Sequence, residues 1–196
     1  MDPNAKYINT KNWSKGRTKT NVTAIFVDDY YDDLKQITPD RSVLTALFHN
    51  SLLFDHFYGT FAEGELVGIF ALTDSREWFM RLQLGLFLKH LGPISGFFTY
   101  LALKAEFQRT SALQKEGCRI EAVAVSKHHR GQGIATTMMR YAMEHNNYLE
   151  LDVLERNASA FALYNRLGFS VFRVDENKKS AHGGSGRRYF MSYDRV

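Results

Sequence analysis

A short apolar strand, two glycines and a helical segment follow one another in the second half of the chain. The run 123–135 begins with β-branched residues, passes through a basic turn and carries Gly131 and Gly133 before a helical pattern. The first N–H groups of a helix lack intrahelical partners, and the helix dipole adds partial positive charge there. Glycine lets a phosphate approach the backbone closely, and Arg130 adds a full charge beside it. The spacing therefore predicts a phosphate site at the start of this helix.

Two common phosphate loops do not match this turn. The P-loop of nucleoside triphosphatases requires Gly-Lys-Ser/Thr, and no such triplet follows the two glycines. A dinucleotide-binding turn would have a third glycine where Thr136 stands, although Asp152 follows at the expected distance of about twenty residues. The turn also comes late in a chain of 196 residues, which is short for a dinucleotide domain followed by a substrate domain. The sequence therefore favours another class of phosphate ligand.

The elements that would position this turn have the order of a mixed α/β fold. Strands are predicted over 22–27, 56–62, 66–72, 120–125, 148–153, 169–174 and 188–193. Helices are predicted over 29–37, 40–50, 132–145 and 157–167, with Asp40 as the N-cap of the second and Gly168 closing the last. Glu63-Gly64-Glu65 predicts a hairpin turn between the second and third strands. We expect one domain over 21–196 after a basic N-terminal arm over 1–20, which we expect to be flexible.

A long segment separates the third predicted strand from the fourth. Residues 75–117 are rich in Phe and Leu and are interrupted at Gly92-Pro93, which predicts two amphipathic helices. Arg81, Lys89 and His90 interrupt every apolar window, so no membrane span is expected. We expect a helical insertion packed on the sheet; a substrate lid or a homodimer surface are the alternatives that its large apolar residues leave open.

Three downstream features join the glycine turn to form a recognisable set. Leu151-Asp152-Val153 predicts a strand, Asn157 and Ala160 begin the next helix, and the segment 163–169 reads Leu-Tyr-Asn-Arg-Leu-Gly-Phe. Together with Arg130-x-x-Gly133-x-Ala135, these features over 119–170 resemble the GNAT superfamily of N-acetyltransferases. The resemblance implies a GNAT-like acyl-CoA N-acyltransferase fold with acetyl-CoA as cosubstrate, whereas the insertion over 75–117 departs from the family pattern.

The resemblance also implies roles for individual residues. Backbone groups of Val123 and Val125 would pair with the pantetheine arm, and an amide near Ala124 would stabilise the oxyanion. Asn157 would bind the pantetheine or serve as a helix N-cap, and Tyr164 would protonate the leaving thiolate or simply pack in the core. The pyrophosphate would bind to the loop and the first helical turn, that is Arg130, Gly131, Gln132, Gly133, Ile134, Ala135 and Thr136.

Glu121 is the candidate general base. It lies on the strand that leads into the glycine turn, two residues before Val123, so strand alternation predicts that both side chains share a face. An ion pair or a solvated position at the sheet edge is the alternative interpretation of Glu121. His128 and His129 follow in the turn and are predicted to be surface residues. No cluster with metal-ligand spacing is present, so no metal is expected.

Composition limits the setting of the reaction. Cys118 is the single cysteine, and together with the lack of an apolar leader it predicts a cytoplasmic protein. The net charge of +4 arises in the first twenty residues, where five basic residues oppose Asp2, so no basic face predicts nucleic-acid binding.

The sequence therefore predicts transfer of an acetyl group from acetyl-CoA to a primary amine within a ternary complex. The acceptor would be a small-molecule or peptide amine, and the sequence does not select among these. The alternative is a non-catalytic acyl-CoA-binding sensor or interaction module.

Overall fold

A seven-stranded mixed sheet organises the molecule, with helices on both faces. The computed structural model describes residues 6–9, 17–74, 77–110, 113–177 and 186–195. Within these ranges the strands are β1 (Lys6–Asn9), β2 (Phe57–Ala62), β3 (Glu65–Thr73), β4 (Cys118–Val125), β5 (Tyr148–Leu154), β6 (Ser170–Asn177) and β7 (Gly186–Asp194). Their order in the sheet is β1-β2-β3-β4-β5-β7-β6, and β4 and β5 are the one parallel pair that the described residues form.

The helices flank this sheet in two groups. They are α1 (Arg17–Asp29), α2 (Tyr31–Leu34), α3 (Arg41–His49), α4 (Leu84–Leu91), α5 (Pro93–Thr110), α6 (Ile134–His145) and α7 (Ala158–Arg166). One apolar core, which contains Phe26, Phe48, Phe79 and Leu103, lies on the side of α1. The other core contains Met138 and lies on the side of α6 and α7. The predicted mixed α/β class is thus confirmed.

Several local predictions are confirmed because short-range signals determine them. Asp40 caps α3 by accepting hydrogen bonds from the N–H groups of Ser42 and Val43. Glu63 and Gly64 both have positive φ in the turn that joins β2 to β3. Gly168 follows α7 with φ of 93°, a conformation that a glycine adopts without steric cost.

The strand predicted over 22–27 is wrong, because this segment belongs to α1. Its β-branched residues favour a strand by propensity, yet the buried positions Val22, Phe26 and Val27 follow helical spacing. Packing of this face against the sheet outweighs the local preference. The helix predicted over 29–37 is also shorter in the structure, where α2 spans only Tyr31–Leu34.

Two parts of the arm predicted over 1–20 lie in regular elements. Residues Lys6–Asn9 pair antiparallel with β2 at the edge of the sheet, and Arg17 begins α1. The other residues of this arm lie outside the described part of the chain.

The segment between β3 and β4 contains the predicted helical hairpin. Helices α4 and α5 meet at Gly92 and Pro93, where Gly92 has φ of 81°. A Cβ atom at Gly96 would lie 2.3 Å from the backbone oxygen of Phe87, so a side chain there would force the two helices apart. Tyr100 packs against Phe87 with ring centroids 6.0 Å apart. None of the helices in the described ranges combines the length and apolarity needed to cross a bilayer.

Candidate active site

Strands β4 and β5 separate shortly after they begin. They pair at Cys118 with Leu149 and at Arg119 with Glu150, and the described register ends there. A cleft of about 800 Å³ opens where the strands diverge, and its lining includes residues of α1, α2, the segment 78–80 and the start of α6. The divergence leaves one edge of β4 without a neighbouring strand among the described residues.

The hydrogen-bonding pattern shows which residues of β4 face this gap. Ala124 is registered against Ile69 of β3, and the N–H of Ser126 donates to the carbonyl oxygen of Val67 at 2.8 Å. Backbone groups at alternate positions of a strand point to opposite sides. The polar groups of Ala124 therefore point to β3, and those of its two neighbours point into the gap.

Contacts with side chains agree with this orientation. The hydroxyl of Tyr30 donates to the carbonyl oxygen of Val123 at 3.4 Å, and Nε of Arg130 donates to the carbonyl oxygen of Val125 at 3.1 Å. An extended ligand in the gap could take these backbone positions in the manner of an added strand. The amides next to Ala124 that face the cleft are consequently those of Val123 and Val125, whereas the predicted contact of a ligand with the backbone of Ala124 itself does not fit this orientation.

The glycine turn presents an open backbone to the same cleft. Gly131 and Gly133 have φ of 76° and 81°. Apart from the adjacent residues, no atom of the described part of the chain lies within 4 Å of the position that a Cβ would take at either glycine. Gly133 stands at the N-cap of α6, and within the described residues no side chain caps this helix. Ile134, Ala135 and Thr136 line the cleft in the first turn. The arrangement leaves N–H groups available for an anion.

Arg130 and Gln132 are engaged with protein groups in this structure. Arg130 forms a salt bridge with Asp29 at the end of α1, and the amide of Gln132 donates to the carbonyl oxygen of His128 at 3.4 Å. Burial raises the pKa of Asp29, and this effect exceeds the opposing effect of Arg130. Arg130, which was predicted to lie beside the pyrophosphate, is therefore held by the carboxylate of Asp29 on the other side of the cleft.

Asn157 and Tyr164 occupy the α7 side of the cleft. The Oδ1 atom of Asn157 accepts a hydrogen bond from the N–H of Ala160 at 3.2 Å, so the residue is the N-cap of α7. Tyr164 is buried, with its ring 5.9 Å from that of Phe169. Burial raises the pKa of the Tyr164 phenol well above its ordinary value, so the proton stays on the oxygen at neutral pH.

Glu121 lines the cleft, but it does not share a face with Val123. Ala122 between them has φ of 52°, and the β3–β4 register shifts at this point. This bulge reverses the alternation: Glu121 pairs with Ala71 on the α1 side, whereas Val123 packs against the α6 side. The expectation that both side chains point to one face is therefore wrong.

A chain of alternating charges surrounds Glu121. Its carboxylate accepts a hydrogen bond from Nε of Arg119 at 2.6 Å, and Arg119, of which 2% is exposed, also pairs with Asp152. Arg188 of β7 donates to the second oxygen of Asp152 at 2.8 Å. Burial raises the pKa of Glu121 to about 7, because desolvation of its carboxylate outweighs the attraction of Arg119. Glu121 can therefore accept a proton near neutral pH.

Most of the sequence matches a protein family model. The model is that of the acetyltransferase (GNAT) family, and the match spans residues 20–169, from the first helix to the residue after Gly168. The chain belongs to the acetyltransferase (GNAT) family. None of the curated proteins searched matches the sequence significantly.

Solved structures of other acetyltransferases share the fold. An N-acetyltransferase from Staphylococcus aureus Mu50 aligns with a TM-score of 0.61 at 14% identity, over 96% of this chain and 100% of that chain. The ribosomal-protein-S18-alanine N-acetyltransferase from Escherichia coli aligns with a TM-score of 0.56 at 12% identity, over 98% and 94% of the two chains. A GNAT family acetyltransferase from Elizabethkingia anophelis with acetyl-CoA bound aligns with a TM-score of 0.54 at 9% identity, over 98% and 99%.

The sequence of this GNAT protein does not predict three residues at the end of α1 and in α2 that contact the opposite side of the cleft. Tyr30 contacts β4 directly, Asp29 holds Arg130, and Asp33 forms a salt bridge with Arg156 across the cleft. None of them belongs to a motif, because their position depends on how α1 packs on the sheet. The sequence did contain a signal for the buried charges, because charged residues stand at alternate positions in two otherwise apolar strands. These are Arg119 and Glu121 in β4, and Glu150 and Asp152 in β5.

One histidine of the turn differs from expectation. His128 is exposed, as predicted for a surface residue, whereas His129 is half-buried and lines the cleft beside the glycine turn. The Nδ1 atom of His129 is buried without a hydrogen-bond partner among the described residues.

Proposed function

We propose that this chain is an acetyl-CoA-dependent N-acetyltransferase that moves the acetyl group directly to a primary amine in a ternary complex. One observation carries the proposal: the free edge of β4 at Val123 and Val125 leads straight to the uncapped glycine turn. A cosubstrate with an amide-containing arm and a pyrophosphate needs these two features next to each other. The family membership agrees with this assignment.

The residues on the β4 and α7 sides would bind the donor. Backbone groups of Val123 and Val125 would pair with the pantetheine amides, and the amide nitrogen of Asn157 would add a further donor. The N–H groups from Gly131 to Thr136 would bind the pyrophosphate, with Arg130 at its edge. Arg130 would then exchange Asp29 for phosphate oxygens, since both are anionic acceptors.

Residues at the centre of the cleft would move the protons. An alkyl ammonium has a pKa of about 10, so it must lose a proton before its nitrogen can attack the acetyl carbonyl carbon. Glu121 would accept that proton, directly or through a water molecule. The N–H of Val123 would stabilise the developing oxyanion. As the carbon–sulfur bond breaks, Tyr164 would donate its proton to the leaving thiolate, and the nitrogen would release its second proton to solvent. Tyr164 would then regain a proton from solvent, so that the products are a neutral amide and the free thiol.

The acceptor would enter from the side of α1, α2 and the insertion. Phe26, Phe79 and Leu103 from these elements line that part of the cleft, and Glu121 lies where a cationic amine would be held. The proposed acceptors are therefore amines on small molecules or peptides.

Thiol release from acetyl-CoA, measured with a panel of primary amines, tests this proposal. We expect release that depends on both substrates, saturates with each of them and yields acetylated amine by mass spectrometry. Tight acetyl-CoA binding by calorimetry, with no release for any amine of the panel, would instead support a binding module. A parallel series of lines in double-reciprocal plots would contradict direct transfer, because it indicates an acyl-enzyme.

A further inference from the structure

Helix α5 exposes one apolar face that nothing in the described structure covers. Ile94, Phe97, Phe98 and Leu101 follow the spacing i, i+3, i+4 and i+7, so they form a single stripe, which we call the α5 stripe. Between 42% and 74% of each of these residues is exposed. The opposite face of the same helix is already used, since Leu103 is buried in the core on the α1 side.

The stripe is unusual for a surface because its residues are large and contiguous. Single exposed apolar residues are common on soluble proteins, whereas contiguous patches mark interaction sites. Phe97 and Phe98 lie edge to face with ring centroids 5.7 Å apart, so the two rings protrude side by side. The stripe forms a convex ridge on a helix rather than a groove that would receive one.

The charged residues next to the stripe along the chain are basic. The stretch 78–105 contains no Asp or Glu and carries Lys89, His90 and Lys104, whereas Arg81 at its start is paired with Glu77 and Glu106 follows at its end. Lys89 lies just before the turn that leads to Ile94, and Lys104 follows Leu101 by three positions on the same side of the helix. Both lysines are exposed. The two ends of the stripe are therefore basic.

This charge pattern selects among occupants. A second copy of the chain would bring the stripe against itself, and the lysines of the two copies would then oppose each other. An anionic lipid surface would instead attract the lysines while the acyl chains accept the apolar ridge, as for helices that lie in a membrane interface. A fluid surface also fits a convex ridge of aromatic side chains without a preformed pocket.

We propose that the α5 stripe docks this protein on the surface of membranes that contain anionic lipids. The helix lies on the bilayer and does not cross it. Because Leu103 on the other face of α5 lines the cleft, docking places the membrane one helix diameter from the acceptor side. The proposal does not depend on the acetyltransferase assignment, since it rests on the exposed face alone.

Vesicle flotation with the full chain tests this proposal. We expect the protein to float with vesicles of phosphatidylcholine and phosphatidylglycerol in equal parts, and about tenfold less with phosphatidylcholine alone. The double variant Phe97→Ser/Phe98→Ser should lose about tenfold in affinity for the mixed vesicles. The matched control is Val171→Ser/Val174→Ser on β6, where two exposed valines are also replaced, and it should bind like the unmodified protein.

Other results would overturn the proposal. These are a lack of flotation with the mixed vesicles, equal binding by the two double variants, or equal binding to both kinds of vesicle. A dimer in sedimentation velocity that becomes a monomer in Phe97→Ser/Phe98→Ser would assign the stripe to a second copy instead. Thermal unfolding of each variant, and a repeat with Ile94→Ser alone, exclude loss of folding as the cause.

Discussion

The two walls of the cleft are built in different ways. One wall is formed by β4, the glycine turn, α6 and the start of α7; we propose that it binds acetyl-CoA mostly through backbone groups from one stretch of sequence, and we call it the donor wall. The other wall is formed by α1, α2, the segment 78–80 and α5; we propose that it binds the amine through side chains from elements far apart in the chain, and we call it the acceptor wall. The donor wall is fixed by local conformation, whereas the acceptor wall depends on how several elements pack. This contrast explains why one wall is recognisable from a motif and the other is not.

Variants can separate the two walls by kinetics. Changes in the donor wall should alter KM for acetyl-CoA, changes in the acceptor wall should alter KM for the amine, and changes between the walls should alter kcat.

Tyr164→Phe tests the boundary between the walls. This variant keeps the buried ring but lacks the hydroxyl group proposed as the acid. We therefore expect kcat to fall about 100-fold or more while KM for acetyl-CoA is unchanged. Thiol release at saturating substrates measures this loss. The matched control is Tyr30→Phe, which removes another phenol of the cleft, one that touches Val123, and should have a smaller effect. Full turnover in Tyr164→Phe would remove this residue from the acid role.

Glu121→Gln tests the proposed base by its pH dependence. The carboxylate is the active form, so kcat/KM of the unmodified enzyme should rise as the pH passes through about 7 and then level off. The variant should lose about 30-fold at high pH and also lose this ascending limb. The control Glu155→Gln, an exposed carboxylate paired with Arg187, should keep both rate and profile. If kcat/KM of Glu121→Gln still rose with pH in the same way, the titrating group would be a residue other than Glu121.

Gly133→Val tests the donor wall directly. A β-branched side chain at φ of 81° strains the backbone and fills the space next to the helix N-terminus. We expect KM for acetyl-CoA to rise about tenfold and KM for the amine to stay constant. Gly64→Val is a close control, because Gly64 also has φ of 81° and open surroundings but lies in the β2–β3 turn. Equal kinetic effects in the two variants would show that strain alone is responsible.

Trp78→Ala tests the acceptor wall. Trp78 is half-buried and lines the cleft on the insertion side, with its ring 6.1 Å from that of Phe79. Loss of this apolar surface should change KM for an apolar amine about threefold and leave KM for acetyl-CoA unchanged. Competition between an apolar and a polar amine in one reaction measures the change in preference. A change in KM for acetyl-CoA alone would contradict the division into two walls.

The sequence was sufficient where local signals agreed with the fold. Three features each depend on only a few neighbouring residues: the N-cap at Asp40, the turn at Glu63 and Gly64, and the break between helices at Gly92. The local elements of the donor wall were predicted for the same reason, whereas binding of acetyl-CoA to it stays a proposal. Its strand, turn and helix follow one another within about 50 residues, a range over which capping and turn chemistry decide the conformation.

Elsewhere the sequence was not sufficient, because distant packing decided the outcome. The run 22–27 has the propensity of a strand, and only burial of Val22 and Phe26 against the sheet makes it helical. The bulge at Ala122 is equally hidden, since alanine at positive φ has no sequence signal. That one residue decides the face on which Glu121 lies. Tyr30 and Asp29 reach the cleft only because α1 ends beside β4.

The short pairing of β4 with β5 has a mechanical consequence. Two register pairs, at Cys118 and Arg119, are all that the described residues provide between one half of the sheet and the other. A ligand bound in the gap would form hydrogen bonds with the part of β4 that does not pair with β5, and would thereby connect the two halves of the sheet. The sheet would then be more rigid with the ligand bound, and resistance of the protein to heat and proteolysis would increase with the concentration of that ligand.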